Sequence, residues 1–553
     1  MGLRNLQEGG LKMIVVYILI FILVLGLVVC FHELGHYFWA KKFGILVNEF
    51  AFGMGPKIVS KKKGETYWSI RAFPVGGFCA MSGEEVGDPL LKEGDQVKLV
   101  FDENNKVSKL VFTLEAEEYK DIEITTVEKV DLFGKDMSPL YINDFEVNRD
   151  ALVVAGKEET QIAPEERNFY AKGVWQRLLV CFGGPLNNFI LGLVVFLLMA
   201  FIQGVPNTKT NKIKAVDGPS EVAGLKGGDR IIKVGDYEIT EEGCFDDTSN
   251  NSLHYAIYNT PSRALNVSYD RNGEIKNTTV YASYTFNALG FASYDEDINE
   301  SNYNEVKIIC ETKAALAGTN KTKAYQAENG LRNGDIITAI TYYNGETEVV
   351  YPIADWEDVY EFSLSDNARS GGKISVTYLR DSESKTTGQY EIYSETILSS
   401  QGYELTYKQM GVSTPTKFAF FESIWNGIKY FGKASSIIFN TLWLLFTSKE
   451  VGVKDMGGFI TILNQTASYA AGGFVSLLYF IGLLSVNLGI VNLLPIPALD
   501  GGRILFLLIE GIFHKKLKPK VEAIIINVVF WLLMAFIGYI LIQDIIRLVV
   551  QLR

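Results

Sequence analysis

Two histidines and a glutamate stand together in His32-Glu33-Leu34-Gly35-His36, at the end of the first long apolar run of the chain. Histidines at positions i and i+4 lie on one side of a helix, and this spacing lets both imidazoles bind one metal ion. Ionisable residues at the end of an apolar span are costly unless they serve a ligand or a reaction. The pattern therefore predicts a zinc site at His32 and His36. The alternative is two unrelated histidines on one helix face.

A catalytic zinc site takes three protein ligands and a water molecule, so a third ligand must come from elsewhere. The best candidate is Asp500 in the segment N-L-L-P-I-P-A-L-D-G-G at 492–502, where two prolines interrupt a hydrophobic helix. Broken helices free main-chain groups and place side chains in protected cavities. The alternative is that Asp500 caps the helix that restarts at Gly501. The other histidines, His254 and His514, are poor candidates, and the five cysteines show no C-x-x-C spacing for a zinc site.

Four apolar runs are long enough to hold these residues in a membrane. They cover residues 13–31, 178–201, 474–494 and 524–545. Because 48% of the 553 residues are hydrophobic and are concentrated in such blocks, the chain is predicted to be a polytopic α-helical membrane protein with about four transmembrane helices. The lipid bilayer is thus an expected partner. A formal charge of −12 without a basic, aromatic-interleaved cluster excludes nucleic-acid binding.

The basic residues indicate how the chain is oriented. They follow the first run and lie between the last two, at Lys41, Lys42, Lys57, Lys61, Lys62, Lys63, Arg71, Lys515, Lys516, Lys518 and Lys520. An excess of lysine and arginine marks cytoplasmic loops. The histidine motif is then near the cytoplasmic face, and the long segment 205–415 is extracytoplasmic. The first run lacks an A-x-A cleavage site and is interpreted as a retained span.

A repeated turn organises this long segment. The pattern G-L-x-x-G-D occurs at 224–229 and again at 330–335, an offset of 335 − 229 = 106 residues, each time followed by Ile-Ile. The repeat predicts two related β-rich modules, 205–310 and 311–415. Repeated in one loop, the pattern resembles tandem PDZ domains, which usually grip chain ends or strands.

Two further segments are expected to lie outside the spans. Residues 86–172 are polar with strand-like stretches such as 97–101, and they predict a cytoplasmic β-rich insert. Residues 416–447 are aromatic and amphipathic, but Glu422, Lys429 and Lys433 interrupt them. An interfacial helix therefore fits this segment better than a fifth span.

Together, H-E-x-x-H in the first span and N-x-x-P-x-P-x-L-D-G in a late span resemble the site-two protease family of intramembrane metalloproteases. The likeness covers most of the chain and is strongest to the bacterial branch with PDZ domains between the second and third spans. It implies that His32, His36 and Asp500 bind zinc and that Glu33 is the catalytic base. It also implies a bacterial inner-membrane enzyme of regulated intramembrane proteolysis, whose transmembrane substrates, such as anti-sigma factors or signal-peptide remnants, are first trimmed by another protease.

Other motifs of that branch are matched as well. The stretches F-G-M-G-P at 52–56 and R-A-F-P-V-G-G-F at 71–78 resemble its re-entrant β-hairpin, which implies substrate-binding roles for Gly53, Gly55, Gly76 and Gly77. An ordinary glycine-rich loop is the alternative.

The stretch G-P-L-N-N-F at 184–189 resembles the family motif that would place Asn188 in the second span beside the site, as a substrate-binding residue or as an amide that holds helices together. The resulting division of the chain has nine segments: 1–45, 46–85, 86–172, 173–204, 205–310, 311–415, 416–447, 448–513 and 514–553. In this division the hairpin is 46–85, and the spans lie in 1–45, 173–204, 448–513 and 514–553.

Two other functions remain open at this level. One is an H-E-x-x-H membrane protease that cuts soluble tails, with a third ligand from a glutamate on a helix. The other is a membrane-anchored tandem-PDZ adaptor whose metal motif is vestigial. A bound-metal assay separates an enzyme from an adaptor. For an enzyme, the two modules are expected to act as a substrate size filter, with peptide docking as the alternative.

Overall fold

A computed structural model describes residues 4–84, 90–156, 158–242, 244–245, 249–295, 298–310, 323–345, 347–400, 402–447, 456–515 and 519–552. The chain divides into two compact units. The first contains Met1–Val195 and Thr466–Ile537, and the second contains Phe196–Gln465 and Gly538–Arg553.

The helices of the described residues are α1 (Arg4–Lys42), α2 (Val174–Gln203), α3 (Gly218–Val222), α4 (Leu253–Asn259), α5 (Lys323–Gln326), α6 (Trp356–Leu364), α7 (Asp366–Ser370), α8 (Glu395–Ser400), α9 (Phe420–Thr447), α10 (Phe459–Ala471), α11 (Phe474–Asn492), α12 (Asp500–Phe513) and α13 (Pro519–Leu552).

The strands of the first unit are β1 (Val47–Lys63), β2 (Thr66–Met81), β3 (Gln96–Phe101), β4 (Val107–Val111), β5 (Ile124–Thr126), β6 (Val130–Asp131), β7 (Leu140–Ile142), β8 (Phe145–Ala155) and β9 (Glu158–Gln161). Those of the second unit are β10 (Val205–Pro206), β11 (Ala215–Val216), β12 (Arg230–Val234), β13 (Tyr237–Glu238), β14 (Ala264–Arg271), β15 (Glu274–Tyr281), β16 (Ser283–Phe286), β17 (Phe291–Ser293), β18 (Ile308–Ile309), β19 (Ile336–Asn344), β20 (Thr347–Pro352), β21 (Gly372–Arg380), β22 (Glu383–Thr386), β23 (Tyr390–Ile392), β24 (Thr406–Gln409), β25 (Val412–Ser413) and β26 (Thr416–Lys417).

Four of the described helices are long and apolar enough to cross a membrane. They contain the segments Val15–Lys42, Val174–Gln203, Phe474–Asn492 and Val521–Ile546. These segments overlap the four apolar runs, although the first extends to Lys42, eleven residues beyond its run, and the prediction of a multi-pass membrane protein is confirmed. Lys516 and Lys518, which entered the orientation argument, lie outside the described residues.

The segment after α1 is a two-stranded β-hairpin with an unusual register. Phe50 of β1 lies opposite both Cys79 and Trp68 of β2. The first half of β1 is therefore flanked by the two halves of β2, and the second half of β2 keeps one edge free of any described strand. Asn48 is the extra residue of a β-bulge, because Val47 pairs with Met81 and Glu49 with Ala80. The entry of this hairpin into a membrane stays a prediction.

The insert between the hairpin and α2 folds as a seven-stranded sheet. Its order is β5-β3-β4-β8-β7-β6, and β9 pairs with the second half of β8. Alternating apolar residues of these strands form its core, including the buried Val97, Leu110 and Ile142. The segment predicted to be β-rich thus has its own small core.

In the second unit the repeated turns have the same structure. Asp229 receives two hydrogen bonds from Arg271, at 2.8 and 2.7 Å, and Asp335 receives two from Arg380, both at 2.7 Å. Burial of Asp229 disfavours its charged form, but the hydrogen bonds from Arg271 and from the Lys226 main chain outweigh burial and hold the pKa of Asp229 below its usual range. The two modules are thus structural repeats.

The hydrophobic cores divide the modules at a different point from the predicted boundary at residue 310. One core runs from Ile213 to Ala282 and includes Met410, whereas the other runs from Tyr284 to Leu405. The second module is therefore inserted into the first, which is completed by the returning strands β25 and β26.

Lys408 lies between the two modules. Its ammonium donates to the main-chain oxygens of Thr260 at 2.6 Å and Ser262 at 3.1 Å, and burial lowers the pKa of Lys408 to about 8.

Helix α9 occupies the segment predicted to be an amphipathic interfacial helix. Small and polar residues, including Ser423, Gly427 and Ala434, are buried, while aromatic residues spaced along the opposite face are exposed. The exposed aromatic residues include Phe421, Trp425, Phe439, Trp443 and Phe446. α9 is not among the four helices that meet the criteria for a span.

Candidate metal centre

The two histidines of the first span lie where α1 crosses α2. Both are buried, and they are separated by one turn of α1. A Cβ at Gly184 of α2 would lie 2.7 Å from Cε1 of both His32 and His36, and a Cβ at Gly35 would lie 2.8 Å from the Gly184 nitrogen. Only glycine allows the two helices to approach this closely, so these glycines bring α2 against the imidazoles.

Each imidazole has a partner on its Nδ1 atom. Nδ1 of His36 lies 2.8 Å from the main-chain oxygen of Val180, which fixes it as a donor and leaves Nε2 free to bind a metal. Nδ1 of His32 lies 3.1 Å from the Asn188 amide, whose oxygen accepts no hydrogen bond from the described residues. Turning the amide by 180° makes its oxygen accept from His32 Nδ1, which gives His32 the same tautomer.

Asp500 reaches the histidines from a tight turn. The chain leaves α11 at Asn492, turns through the two prolines and enters α12 at Asp500, with Leu499 in the N-cap position. Asp500 is therefore the first helical residue and not the cap. Oδ2 of Asp500 is 3.1 Å from Nε2 of His32 and 3.4 Å from Nε2 of His36.

These three atoms fit the ligand set of a zinc ion. The two Nε2 atoms are 3.2 Å apart, so all three separations lie between 3.1 and 3.4 Å. Ligands about 2.0–2.1 Å from a tetrahedral zinc are separated by about 3.3 Å. Oδ2 of Asp500 is buried and receives no hydrogen bond of good geometry from the described residues. Two neutral imidazoles and an unsatisfied carboxylate are a donor set that zinc prefers.

A cavity of about 1060 Å³ opens onto these ligands. Glu33 lines it together with His32, His36 and Asp500. The carboxylate of Glu33 is thus next to the ligands on the open side, where a water molecule and a peptide have room.

The four predicted hairpin glycines fall into two pairs. Gly76 and Gly77 line the cavity, and a Cβ at Gly77 would lie 3.5 Å from Cγ of Glu33. Gly53 and Gly55 are not among the lining residues, and both have positive φ where β1 passes Phe73 of β2. The structure thus brings only Gly76 and Gly77 to the cavity. Asn188 contacts His32 and is not a lining residue.

Asn492 and Arg503 also line the cavity and were not predicted from the sequence. Nδ2 of Asn492 lies 3.4 Å from Nε2 of His32. Arg503 forms an ion pair with Glu84 at the end of the hairpin. Arg503 is three residues after Asp500 and therefore on the same face of α12, so helical spacing alone could have identified it.

Comparison with known proteins adds a further observation. Residues 20–536 match the model of peptidase family M50. The chain is 30% identical to the zinc metalloprotease RasP of Bacillus licheniformis over 517 residues, which cover 92% of this chain and 94% of the relative. It is 29% identical to the regulator of sigma-W protease RasP of Bacillus subtilis over 520 residues, covering 92% and 93%. It is also 29% identical to the zinc metalloprotease RasP of Oceanobacillus iheyensis over 539 residues, covering 96% and 98%.

Proposed function

The chain belongs to peptidase family M50, the site-two protease family, and is a zinc metalloprotease; from this premise we propose that it cuts the transmembrane segments of other membrane proteins inside the bilayer. The zinc ligands are His32, His36 and Asp500, and Glu33 is the catalytic base. This assignment places the protein in regulated intramembrane proteolysis, with membrane proteins as its substrates.

The position of the ligands along a span carries the proposal. His32 is ten residues before Lys42, the last residue of the span, which corresponds to about 15 Å of helix. The span of 28 residues is about 42 Å long and exceeds an apolar zone about 30 Å thick. With the span centred in the bilayer, a peptide bond cut at His32 lies inside this zone and on its cytoplasmic side. The supporting observation is therefore that His32 and His36 lie within a helix that is long and apolar enough to cross a membrane.

The chemistry divides between the metal and the chain. A zinc ion held by His32, His36 and Asp500 would supply Lewis acidity, polarising the scissile carbonyl and lowering the pKa of the attacking water. Glu33 accepts the proton of that water and delivers it to the nitrogen of the leaving amine. Val180 and Asn188 hold the two imidazoles in the tautomer that leaves Nε2 unprotonated.

The hairpin has a role in presenting the substrate. The amide groups of a helical substrate are already hydrogen-bonded, so the helix must unwind before it is cut. The free edge of β2, which includes Gly76 and Gly77, can hold the unwound segment by strand addition. This role is the reason to treat the hairpin as re-entrant.

The topology follows from the lysine and arginine distribution. The protein is a multi-pass protein of the bacterial inner membrane, with the metal centre near the cytoplasmic face and the two PDZ-like modules outside. Its substrates, anti-sigma factors or signal-peptide remnants, are shortened outside the membrane by another protease. The modules then act as a filter that admits only trimmed substrates. A relative that is named a regulator of sigma-W protease supports this substrate class.

Two substitutions test the site assignment in the purified, detergent-solubilised protein. We expect Glu33→Gln to abolish cleavage of a single-span reporter and to keep zinc near one ion per chain, because Glu33 moves protons and does not bind the metal. We expect Asp500→Asn to lose both zinc and cleavage, since the amide cannot balance the cation.

The readouts are zinc analysis and mass spectrometry of the products. Full activity of Glu33→Gln removes Glu33 from the mechanism, and normal zinc in Asp500→Asn requires another third ligand. Products cut only in the soluble flanks of the reporter support the alternative protease, which acts on soluble regions.

A further inference from the structure

The insert 90–168 forms part of the wall of the catalytic cavity. Four consecutive residues at the end of β9, Thr160, Gln161, Ile162 and Ala163, line the cavity that also contains Glu33 and the zinc ligands. The second half of β2 also lines this cavity. The insert is therefore placed to touch whatever occupies the site.

The insert is fixed to the hairpin through this same strand. The main-chain nitrogen of Glu159 donates to the Tyr67 hydroxyl at 3.0 Å, and Lys62 donates to the main-chain oxygen of Glu159 at 2.8 Å. Farther along, the main-chain nitrogen of Leu46 donates to the oxygen of Arg167 at 3.0 Å. These bonds hold β9 and the hairpin together in the wall of one cavity.

β9 keeps an edge available for pairing. It pairs with β8 on one side, and no described strand pairs with the other. Glu159 turns both main-chain groups away from β8, toward Tyr67 and Lys62. Because main-chain groups alternate along a strand, Gln161 turns its N–H and C=O away from β8 as well. At Glu159 this edge is already occupied by the two side chains, so it is the main chain of Gln161 that can pair with a further strand.

The residues of the insert that line the cavity carry no charge. The charged groups of the cavity belong to the metal site and to the Glu84–Arg503 ion pair. Asn48, in the bulge of β1, also lines the cavity, and its side-chain oxygen accepts no hydrogen bond within the described part of the chain.

We propose that the insert is a substrate-binding element. β9 binds, in extended form, the uncharged substrate segment that lies next to the cleaved bond on the insert's side of the membrane. This inference rests on the proposed function. It assigns to Gln161 a positioning role through its main chain, and it assigns to the insert the selection of neutral residues in the substrate flank.

Photo-crosslinking in the Glu33→Gln protein tests the contact without requiring cleavage. The probe is a single-span reporter with a ten-residue Gly-Ser-Thr flank on the insert's side of the membrane. Benzoylphenylalanine replaces Gln161 in one variant and Thr126 in the other. Thr126 is the matched control, because β5 is the opposite edge of the same sheet. We expect the yield from position 161 to exceed that from 126 by about tenfold or more, and equal yields overturn the proposal.

A second variant in the active protein tests the main-chain contact. Gln161→Pro removes the outward N–H without breaking the pairing with β8. Thr126→Pro is the control, because Val127 donates to the main-chain oxygen of Asp95 and Thr126 therefore turns its own N–H away from β3, at the opposite edge of the sheet. We expect Gln161→Pro to raise KM for the reporter about tenfold with zinc and kcat unchanged, and Thr126→Pro to match wild type. An unchanged KM in Gln161→Pro contradicts the proposal. If the wild-type protein does not cut the reporter, the proposed function is contradicted. The crosslinks still test the contact with β9, because they do not require cleavage.

Discussion

At the scale of single residues, the orientation of two imidazoles determines whether the site can bind zinc. His36 is oriented by a main-chain oxygen, which no substitution of a side chain removes, whereas His32 depends on the side chain of Asn188. The two ligands therefore differ in how easily they are perturbed. Asn188 is fully buried and is linked to α11, because Ser485 donates to its main-chain oxygen at 2.8 Å.

Asn188→Ala is expected to weaken zinc binding by about 10–100-fold, because partners of ligating histidines have effects of this size. The measurement is a zinc competition titration on the purified variant, followed by kcat and KM at saturating zinc. Cleavage should recover largely when zinc is added in excess. A raised KM with unchanged zinc affinity contradicts the role of Asn188 in orienting His32. That result indicates instead that Asn188 binds the substrate.

The three residues that we propose as zinc ligands could be picked out from the sequence because each belongs to a local pattern. His32 and His36 share one helix face, and Asp500 follows a helix broken by two prolines. Their meeting could not be derived from spacing alone, since residues 36 and 500 are far apart in the chain. It came from the resemblance to a known family. Asn492 was missed because its contact with His32 depends on how α11 packs against α1.

At the scale of elements, the crossing of α1 and α2 determines the site. Gly35 and Gly184 let the two helices touch at the level of the imidazoles. Hydropathy predicted both helices, because a span needs only about 20 apolar residues. It could not predict where they cross, since that depends on which glycines face each other.

Gly184→Ala is expected to lower zinc content below about one tenth of wild type and to abolish cleavage. Its Cβ would lie 2.7 Å from both imidazole Cε1 atoms, which forces the ligands or the helix to move. Gly538→Ala is the control, because a Cβ there meets no atom within 4 Å and alanine favours a helix. Zinc analysis and thermal unfolding of both variants make the comparison. Normal zinc in Gly184→Ala is incompatible with the crossing described above.

At the scale of the whole molecule, the chain nests one module inside another. Ser283 of β16 pairs with Gln409 of β24, so the chain leaves the first module and returns beside its exit. The repeat of the G-L-x-x-G-D turn predicted two modules, and the two turns contribute Leu225 and Leu331 to two separate hydrophobic cores. The division at residue 310 differs from the packing because strand pairing between residues 126 positions apart leaves no local signal (409 − 283 = 126).

The same nesting gives a clean way to test the size filter. Pro206 of β10 lies directly opposite Thr416 of β26, so residues 207–415 can be replaced by a short glycine-serine linker. A shorter excision, for example of residues 212–400, would leave β24 and β25 without partners, since these pair with β16 and β11. The excision at 207–415 removes both cores completely.

We expect the excised protein to keep its zinc and to cut an untrimmed single-span substrate at least about tenfold faster than wild type. The reason is steric: folded modules outside the membrane exclude a large ectodomain, and their removal ends the exclusion. Wild type supplies the internal control, because its rate on a series of reporters should fall as the ectodomain grows. If the modules instead bind the new C-terminus of a trimmed substrate, the cleavage rate of the wild-type protein depends on the presence of that terminus and not on the size of the ectodomain. In that case the excised protein cuts trimmed substrates more slowly than wild type does. This result, together with an unchanged rate of cleavage of untrimmed substrates, rules out the filter.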